Sequence, residues 1–246
     1  LDAALRDTRH STGTAVEVRR GPGPIAPSGE LRGGDPVEAT GQTGRGCTAG
    51  FVMRDNTRFF MLIAGHCDHD VSYAAYGKGP FEWTDAGARI GVRSLARFGP
   101  EDYSLVPVES TTRTNPQGRV RWNTSTLAVK GVESPPVGTT VCRYGRVSGF
   151  ACGAIKRYGL DITYTVGGSI WAPYGVRVTG LIEVAEVCSQ AGDSGGPLYR
   201  VRNGNAYAVG VLSGGNGCGG TGRSTYYQPV QEVIDQGTNG LRIVTG

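Results

Sequence analysis

This chain of 246 residues has no long apolar run, no Cys-x-x-Cys motif and only three histidines. Each of these features argues against a class of structure or site. No stretch approaches the roughly 20 consecutive apolar residues of a transmembrane helix, so we expect no membrane partner. No segment has the pattern of a signal peptide. There is no Cys-x-x-Cys pair, and Cys67 between His66 and His69 fits a structural role better than a metal site. We therefore predict neither a metal nor another cofactor.

Lysine is also rare, since only 3 of the 25 basic residues are lysines and the other 22 are arginines. The formal net charge is +4, but the arginines are spread along the chain without interleaved aromatic residues or a nucleic-acid motif. The densest local group is Arg113, Arg119 and Arg121, which we interpret as a solvated face. The sequence predicts no nucleic-acid partner.

Six cysteines without metal-ligand spacing indicate disulfides, which form and persist in an oxidising compartment. We therefore expect a secreted, extracellular protein. Six cysteines allow 15 pairings, so spacing alone does not choose among them.

Glycine accounts for 41 residues, and the strand-like runs are short and bounded by turns. This pattern predicts an all-β barrel or sandwich. The one fair helix is 230–236, where Gly237 can stop it. The predicted strands are 51–53, 59–64, 105–108, 140–142, 162–166, 181–187 and 206–212.

Residues 192–197, Gly-Asp-Ser-Gly-Gly-Pro, predict a serine nucleophile at Ser194. A hydroxyl is a poor nucleophile near neutral pH, so it needs a base for its proton and donors for the developing oxyanion. Glycines on both sides of Ser194 allow a tight turn that aims backbone amides at one point. The amides of Gly192 and Ser194 are the natural donors of such an oxyanion hole.

His66 is the best candidate for the base among the three histidines. It directly follows the apolar run 59–64, which predicts a buried strand that would hold the imidazole rigidly. His10 lies in a polar terminal segment and His69 in an acidic turn, and solvated loops account for both.

The third member of such a site is a carboxylate that fixes the imidazole tautomer. Asp102 follows a turn and precedes an apolar strand, which makes it the best choice. Asp68 and Asp70 stand too close to His66 in sequence, and Asp85 is the remaining rival.

The order His66, Asp102, Ser194, with the motifs AGHC, EDYSLV and GDSGGP, resembles the chymotrypsin-fold serine proteases. Within them the chain resembles the bacterial secreted branch of the streptogrisins and α-lytic protease. Further matches are Cys-Arg-Tyr-Gly at 142–145, Ser-Gly-Gly at 213–215 and Tyr-Tyr-Gln-Pro-Val at 226–230. The resemblance extends from about Gly33 to about Gln236.

The resemblance implies two antiparallel six-stranded β-barrels of the chymotrypsin type with a short C-terminal helix. Residues 33–122 would form the first barrel and 123–246 the second, joined through the polar stretch 110–125. Residues 1–32 would be an N-terminal extension. That extension is either the tail of a pro-region, as expected of a zymogen, or a loosely docked segment.

The resemblance also implies three disulfides, Cys47–Cys67, Cys142–Cys152 and Cys188–Cys218. Burying the Asp193 carboxylate in a turn without a partner would cost a large free energy, so we expect a residue of opposite charge beside it. The bacterial branch uses an internal arginine, and Arg143 matches that position. Arg143 and Asp193 are therefore predicted to support the oxyanion loop.

Substrate preference is predicted from the positions that match the family's primary pocket. Cys188 stands where trypsin-like enzymes carry aspartate, and Leu212 stands where glutamate-specific bacterial enzymes carry histidine. Small Ala191 and paired glycines leave room for a large apolar or aromatic P1 side chain. The predicted substrate-binding residues are Ser189, Gln190, Ala191, Leu212, Ser213, Gly214 and Gly215.

The sequence thus predicts a secreted serine endopeptidase (a hydrolase) that acts as a monomer on proteins or peptides through an acyl-enzyme. Its own pro-region is a further predicted partner. Two alternatives stay open: a catalytically silent relative that binds a partner, and an esterase using the same acyl chemistry.

Overall fold

The computed structural model describes residues 29–40, 46–68, 82–85, 87–112, 114–166 and 174–246. Segment 1–28 and residues 69–81, which include His69 and Asp70, lie outside this part, as does Arg113. The prediction for His10 and most of the predicted N-terminal extension therefore also lie outside it.

The described part consists mainly of strands. In chain order the strands are β1 (Gly29–Gly33), β2 (Pro36–Ala39), β3 (Gly46–Thr48), β4 (Phe51–Arg54), β5 (Phe59–Ile63), β6 (Glu82–Asp85), β7 (Ala88–Val92), β8 (Leu95–Phe98), β9 (Asp102–Pro107), β10 (Thr114–Trp122), β11 (Ser125–Val132), β12 (Thr140–Gly145), β13 (Gly149–Val166), β14 (Tyr174–Ala185), β15 (Pro197–Arg202), β16 (Asn205–Gly215), β17 (Ser224–Pro229) and β18 (Arg242–Ile243). The helices are α1 (Gly65–Asp68) and α2 (Val230–Asp235). None of the helices in the described ranges is long and apolar enough to cross a bilayer.

The second half of the chain forms a closed barrel of six antiparallel strands. The order around it is β12, β13, β14, β17, β16 and β15, and β15 pairs back to β12. The long strand β13 changes register against β14 three times, and such irregularities bend a strand. Val141, Ile155, Leu198 and Tyr227 fill the interior and are almost completely buried.

The first half forms two antiparallel sheets around one core. One sheet has the order β18-β4-β5-β9-β8, and the other has the order β3-β2-β6-β7. The amide of Glu109, just after β9, donates to Ile90 O of β7 at 2.9 Å, and this bond links the two sheets. Met61, Trp83 and Ile90 are buried between them. The predicted all-β fold is confirmed, with one closed barrel of six strands, and the two sheets of the first half are consistent with the second predicted barrel.

Each predicted strand overlaps an observed one, and the predicted helix appears as α2, which ends one residue earlier than expected. The polar stretch 110–125 contains a nine-residue strand, β10, which pairs with β1 in parallel and with β11 in antiparallel fashion. Residues 29–32 of the predicted extension belong to β1, where Leu31 is completely buried. At the other end, β18 returns to pair with β4 of the first half. The predicted division at residue 122 stays a prediction.

Candidate active site

His66 lies in α1, immediately after the buried strand β5. The apolar side chains of β5 anchor the strand in the first core, so the turn that follows is held in place. A Cβ on Gly65 would lie 1.7 Å from Arg97 O, so only glycine lets β8 pass this close. A disulfide joins Cys67 to Cys47 and fixes the other side of the turn.

Asp102 begins β9 and is completely buried, with its carboxylate against His66. Its Oδ1 accepts the backbone amide of His66 at 2.9 Å, and Oδ2 lies 2.8 Å from His66 Nδ1. The hydroxyl of Ser213 donates to the same Oδ2 at 2.6 Å. A proton on Nδ1 satisfies this contact, which leaves Nε2 as the acceptor of the neutral ring. The predicted base and acid therefore lie in hydrogen-bond contact.

The pKa of His66 reflects two opposing effects. Burial lowers it, whereas the negative charge of Asp102 and its hydrogen bond raise it, and the net result is a pKa above the ordinary 6.5. A quarter of the imidazole side chain remains exposed, so one edge of the ring is open to solvent.

The rival carboxylates Asp68 and Asp85 lie in other environments. Asp68 accepts hydrogen bonds from Trp83 Nε1 at 3.2 Å and from Ser104 Oγ at 2.7 Å. Asp85 is buried in β6, where burial and the nearby charge of Asp35 raise its pKa to about 6.

Ser194 lies in the turn between β14 and β15, with glycines in left-handed backbone conformations on both sides. Gly192 has φ of +102° and Gly195 has φ of +83°. A Cβ on Gly195 would lie 2.9 Å from the amide of Ala64, two residues before His66. The predicted nucleophile turn therefore packs directly against the segment that carries the predicted base.

The amides of Gly192 and Ser194 donate to no group in the described ranges. The amides that alternate with them are all bonded: Asp193 N donates to Gln190 O at 3.0 Å and Gly195 N to Leu212 O at 2.8 Å. Two free donors within one glycine-rich turn are the arrangement that binding an oxyanion requires.

Asp193 is completely buried, and four donors satisfy its carboxylate. Oδ1 accepts the amides of Val147 at 2.9 Å and Ser148 at 3.1 Å, and Oδ2 accepts Gln190 N at 2.9 Å and the Ser148 hydroxyl. Arg143, also buried, lies 3.6 Å away, close enough for an ion pair. The sequence pointed to Arg143 but not to Ser148, because a serine in a short turn carries no signal of a distant partner.

A cavity of about 430 Å³ opens beside Ser194. The described residues that line it are uncharged, and three of them are glycines. Ser213, predicted to bind substrate, is not in the lining, because its hydroxyl bonds Asp102 and contacts Tyr164 OH at 3.0 Å. Gly217 lines the cavity but was not predicted. Among the described residues, the lining consists of Ser189, Gln190, Ala191, Ser194, Leu212, Gly214, Gly215 and Gly217.

Gln228 is a further residue of the site that the sequence did not indicate. Its Oε1 accepts the amide of Asp102 at 2.9 Å, and its Nε2 donates to Glu232 at 2.7 Å. It is completely buried and comes from β17, at the far end of the chain from β9. The only available signal was its place in the Tyr-Tyr-Gln-Pro-Val motif.

All six cysteines form disulfides. The pairs are those that the resemblance implies, Cys47–Cys67, Cys142–Cys152 and Cys188–Cys218. The last pair ties the segment before the nucleophile turn to the loop after β16. Closing loops of this size stabilises a fold by about 2–4 kcal/mol each. No cluster of His, Cys, Asp and Glu suited to a metal ion occurs among the described residues.

A model of the trypsin family matches residues 31–236. The chain is 32% identical over 233 residues to Serine protease 1 of Streptomyces fradiae, covering 94% of this chain and 57% of that protein. It is 31% identical over 224 residues to Streptogrisin-D of Streptomyces griseus, covering 90% of this chain and 50% of that protein. The chain thus spans about half the length of these relatives.

A solved structure, that of Cellulomonas bogoriensis chymotrypsin, is also similar. The two share 31% sequence identity with a TM-score of 0.66, and the match covers 88% of this chain and 100% of the other.

Proposed function

The chain belongs to the trypsin family of serine proteases, and from that premise we propose that it is a secreted endopeptidase acting through a Ser-His-Asp triad. The observation that carries the proposal is the buried Asp102 carboxylate, bonded to the backbone amide and to Nδ1 of His66. This pair orients the ring so that Nε2 can take a proton. The nearby nucleophile turn, with its two unpaired amides, supports the same chemistry.

In the proposed mechanism, Ser194 Oγ attacks the carbonyl carbon of the scissile bond as His66 Nε2 takes its proton. Asp102 stabilises the imidazolium that forms. The amides of Gly192 and Ser194 donate to the oxyanion of the tetrahedral intermediate. His66 then gives the proton to the leaving amine, which leaves an acyl-enzyme. Water, activated by the same histidine, releases the acid and restores Ser194.

We propose that Asp193 and Arg143 support the oxyanion loop. Four hydrogen bonds hold Asp193 in place, and the charge of Arg143 offsets the cost of burying a carboxylate. Arg143 itself donates to Gly149 O and Cys188 O, which ties the β12–β13 turn to the segment before the nucleophile.

We propose that the cavity beside Ser194 binds the P1 side chain and prefers large apolar or aromatic residues. No charged side chain from the part of the chain that the structure describes lines it, and Ala191, Gly214 and Gly215 leave it wide. The similar Cellulomonas bogoriensis protein is named a chymotrypsin, which agrees with this preference.

Hydrolysis of peptide nitroanilides that differ only at P1 tests both the activity and this preference. Burial of a large apolar side chain contributes about 2–3 kcal/mol. We therefore expect kcat/KM for Phe at P1 to exceed that for Arg or Glu by about 30- to 150-fold. Because these substrates are amides, their turnover also separates a protease from an esterase. A preference for Arg or Glu would contradict the proposed pocket, and turnover of esters alone would contradict the proposed activity.

The pH dependence of kcat/KM follows from the raised pKa of His66. The base must be neutral to accept a proton, so activity rises as the pH passes upward through this pKa. We expect the midpoint of the acid limb to lie above pH 6.5, because Asp102 raises the pKa of His66. The measurement is kcat/KM between about pH 4 and 10. Asp161→Asn, at an exposed carboxylate paired with Arg177, is the control and should leave the midpoint unchanged. A midpoint below pH 6.5 would argue against this electrostatic account.

We propose that the enzyme works outside the cell, because three disulfides suit an oxidising compartment. Proteins and peptides are its proposed substrates. The monomeric state and an inhibitory pro-region upstream of β1 are further proposals, which rest on the resemblance to the bacterial secreted branch.

A further inference from the structure

Thr48, at the end of β3, contacts the nucleophile turn through both its backbone and its side chain. Its amide donates to Ser194 O at 2.8 Å, and its hydroxyl donates to Gly192 O at 2.9 Å. The residue is completely buried, so water does not compete for these bonds. One residue of the first half of the chain therefore binds two carbonyls of the turn.

The Gly192 carbonyl belongs to the 192–193 peptide, which lies between the two peptide units that carry the predicted oxyanion amides, and the Ser194 carbonyl belongs to the 194–195 peptide, which follows the Ser194 amide. The 192–193 peptide is held at both ends, by Thr48 at Gly192 O and by Gln190 at Asp193 N. The 194–195 peptide is likewise held by Thr48 at Ser194 O and by Leu212 at Gly195 N. With both units fixed, the free amide of Ser194 is held on both sides, and the free amide of Gly192 is held on its C-terminal side.

The direction of the Thr48 hydroxyl bond is also determined. The amide of Arg146 donates to Thr48 Oγ1 at 3.0 Å, and because an amide can only donate, the hydroxyl uses a lone pair there. Its single proton is then available for Gly192 O. The methyl group lies 3.4 Å from the position that a Cβ on Gly196 would take, so packing and β-branching both restrict χ1.

Thr48 is also connected to the predicted base. Its neighbour Cys47 is bonded to Cys67, the residue after His66. The turn that carries the nucleophile and the turn that carries the base thus meet at the Cys47–Thr48 dipeptide.

We propose that Thr48 is a positioning residue whose hydroxyl aims the oxyanion-binding amides of Gly192 and Ser194. The inference rests on the proposed protease function. Thr48 does not touch the substrate; it acts through the Gly192 carbonyl.

Thr48→Val tests the inference, because valine keeps the shape but removes the hydroxyl. Removing one oxyanion donor lowers kcat by about 10²–10³-fold in other enzymes, and loosening the turn should cost less. We expect kcat for a peptide nitroanilide to fall about 10- to 100-fold while KM changes less than about twofold, since the P1 cavity is untouched. Inhibition by a peptide aldehyde, whose adduct places an oxyanion between the amides, should weaken by a similar factor.

Two further variants separate positioning from packing. Thr48→Ser retains the hydroxyl and should keep most of the wild-type kcat. Thr114→Val is the matched control, because Thr114 is another buried threonine whose hydroxyl donates to a backbone carbonyl, that of Arg89. It should leave kcat and aldehyde inhibition unchanged. If Thr48→Val does not fold, Thr48→Ala compared with Thr48→Ser isolates the hydroxyl in the same way.

The outcomes distinguish this inference from the function on which it rests. If the wild-type enzyme does not hydrolyse peptides, the proposed function fails. If the wild-type enzyme is active and Thr48→Val matches it in kcat and in aldehyde affinity, only the role of Thr48 fails. Equal losses in Thr48→Val and Thr48→Ser would also overturn it, because the hydroxyl would then not matter.

Discussion

Ser194→Ala is expected to lower kcat for peptide hydrolysis by about 10⁶-fold, to the level left by substrate binding and the oxyanion amides alone. The loss is this large because no other hydroxyl can form the acyl-enzyme from the same position. Initial rates on a fluorogenic peptide, at enzyme concentrations high enough to detect the residual turnover, measure it.

Ser125→Ala is the matched control for Ser194→Ala. Ser125 is exposed, and its hydroxyl bonds only the nearby Trp122 O, so its removal should leave kcat unchanged. Thermal unfolding of both variants shows that the fold is retained. Turnover by Ser194→Ala within tenfold of the wild-type rate would mean that another group is the nucleophile.

Asp102→Asn is expected to lower kcat by about 10⁴-fold near neutral pH, as the same substitution does in other Ser-His-Asp enzymes. Asp102 accepts hydrogen bonds from His66 N, His66 Nδ1 and Ser213 Oγ. An amide presents a donor in place of one carboxylate oxygen, so the imidazole is held in the wrong tautomer. It also removes the charge that raises the pKa of His66, so the acid limb should move to lower pH.

The matched control for Asp102→Asn is again Asp161→Asn, which removes an exposed carboxylate paired with Arg177. It should change kcat less than about twofold, as expected for an exposed ion pair. If Asp102→Asn lost less than tenfold in kcat and kept its acid limb in place, Asp102 would not be the residue that orients His66.

The sequence predicted the parts of the site that local motifs mark. His66 follows an apolar strand and Asp102 precedes one, and the structure brings their side chains into contact. The family resemblance, rather than any local motif, implied the other two features: Arg143 lies within ion-pair distance of Asp193, and the three disulfides join the implied pairs.

The parts that were missed depend on contacts between distant segments. Gln228 bonds the amide of Asp102 across 126 positions, and nothing in its neighbours shows where β17 passes. Thr48 likewise reaches Gly192 across 144 positions. The strand β10 is polar along much of its length, so no apolar alternation marks it. Pairing with β1 and β11 determines its conformation, which is a property of the fold rather than of the segment.

Mass spectrometry of the chain after reaction with a fluorophosphonate tests the central claim most directly, because only an activated serine reacts quickly with this reagent. We expect one phosphonyl group per chain, attached to Ser194, and a rate of labelling that falls steeply in His66→Ala. Labelling at another residue, or at Ser194 with a rate that does not depend on His66, would contradict a nucleophile activated by this histidine.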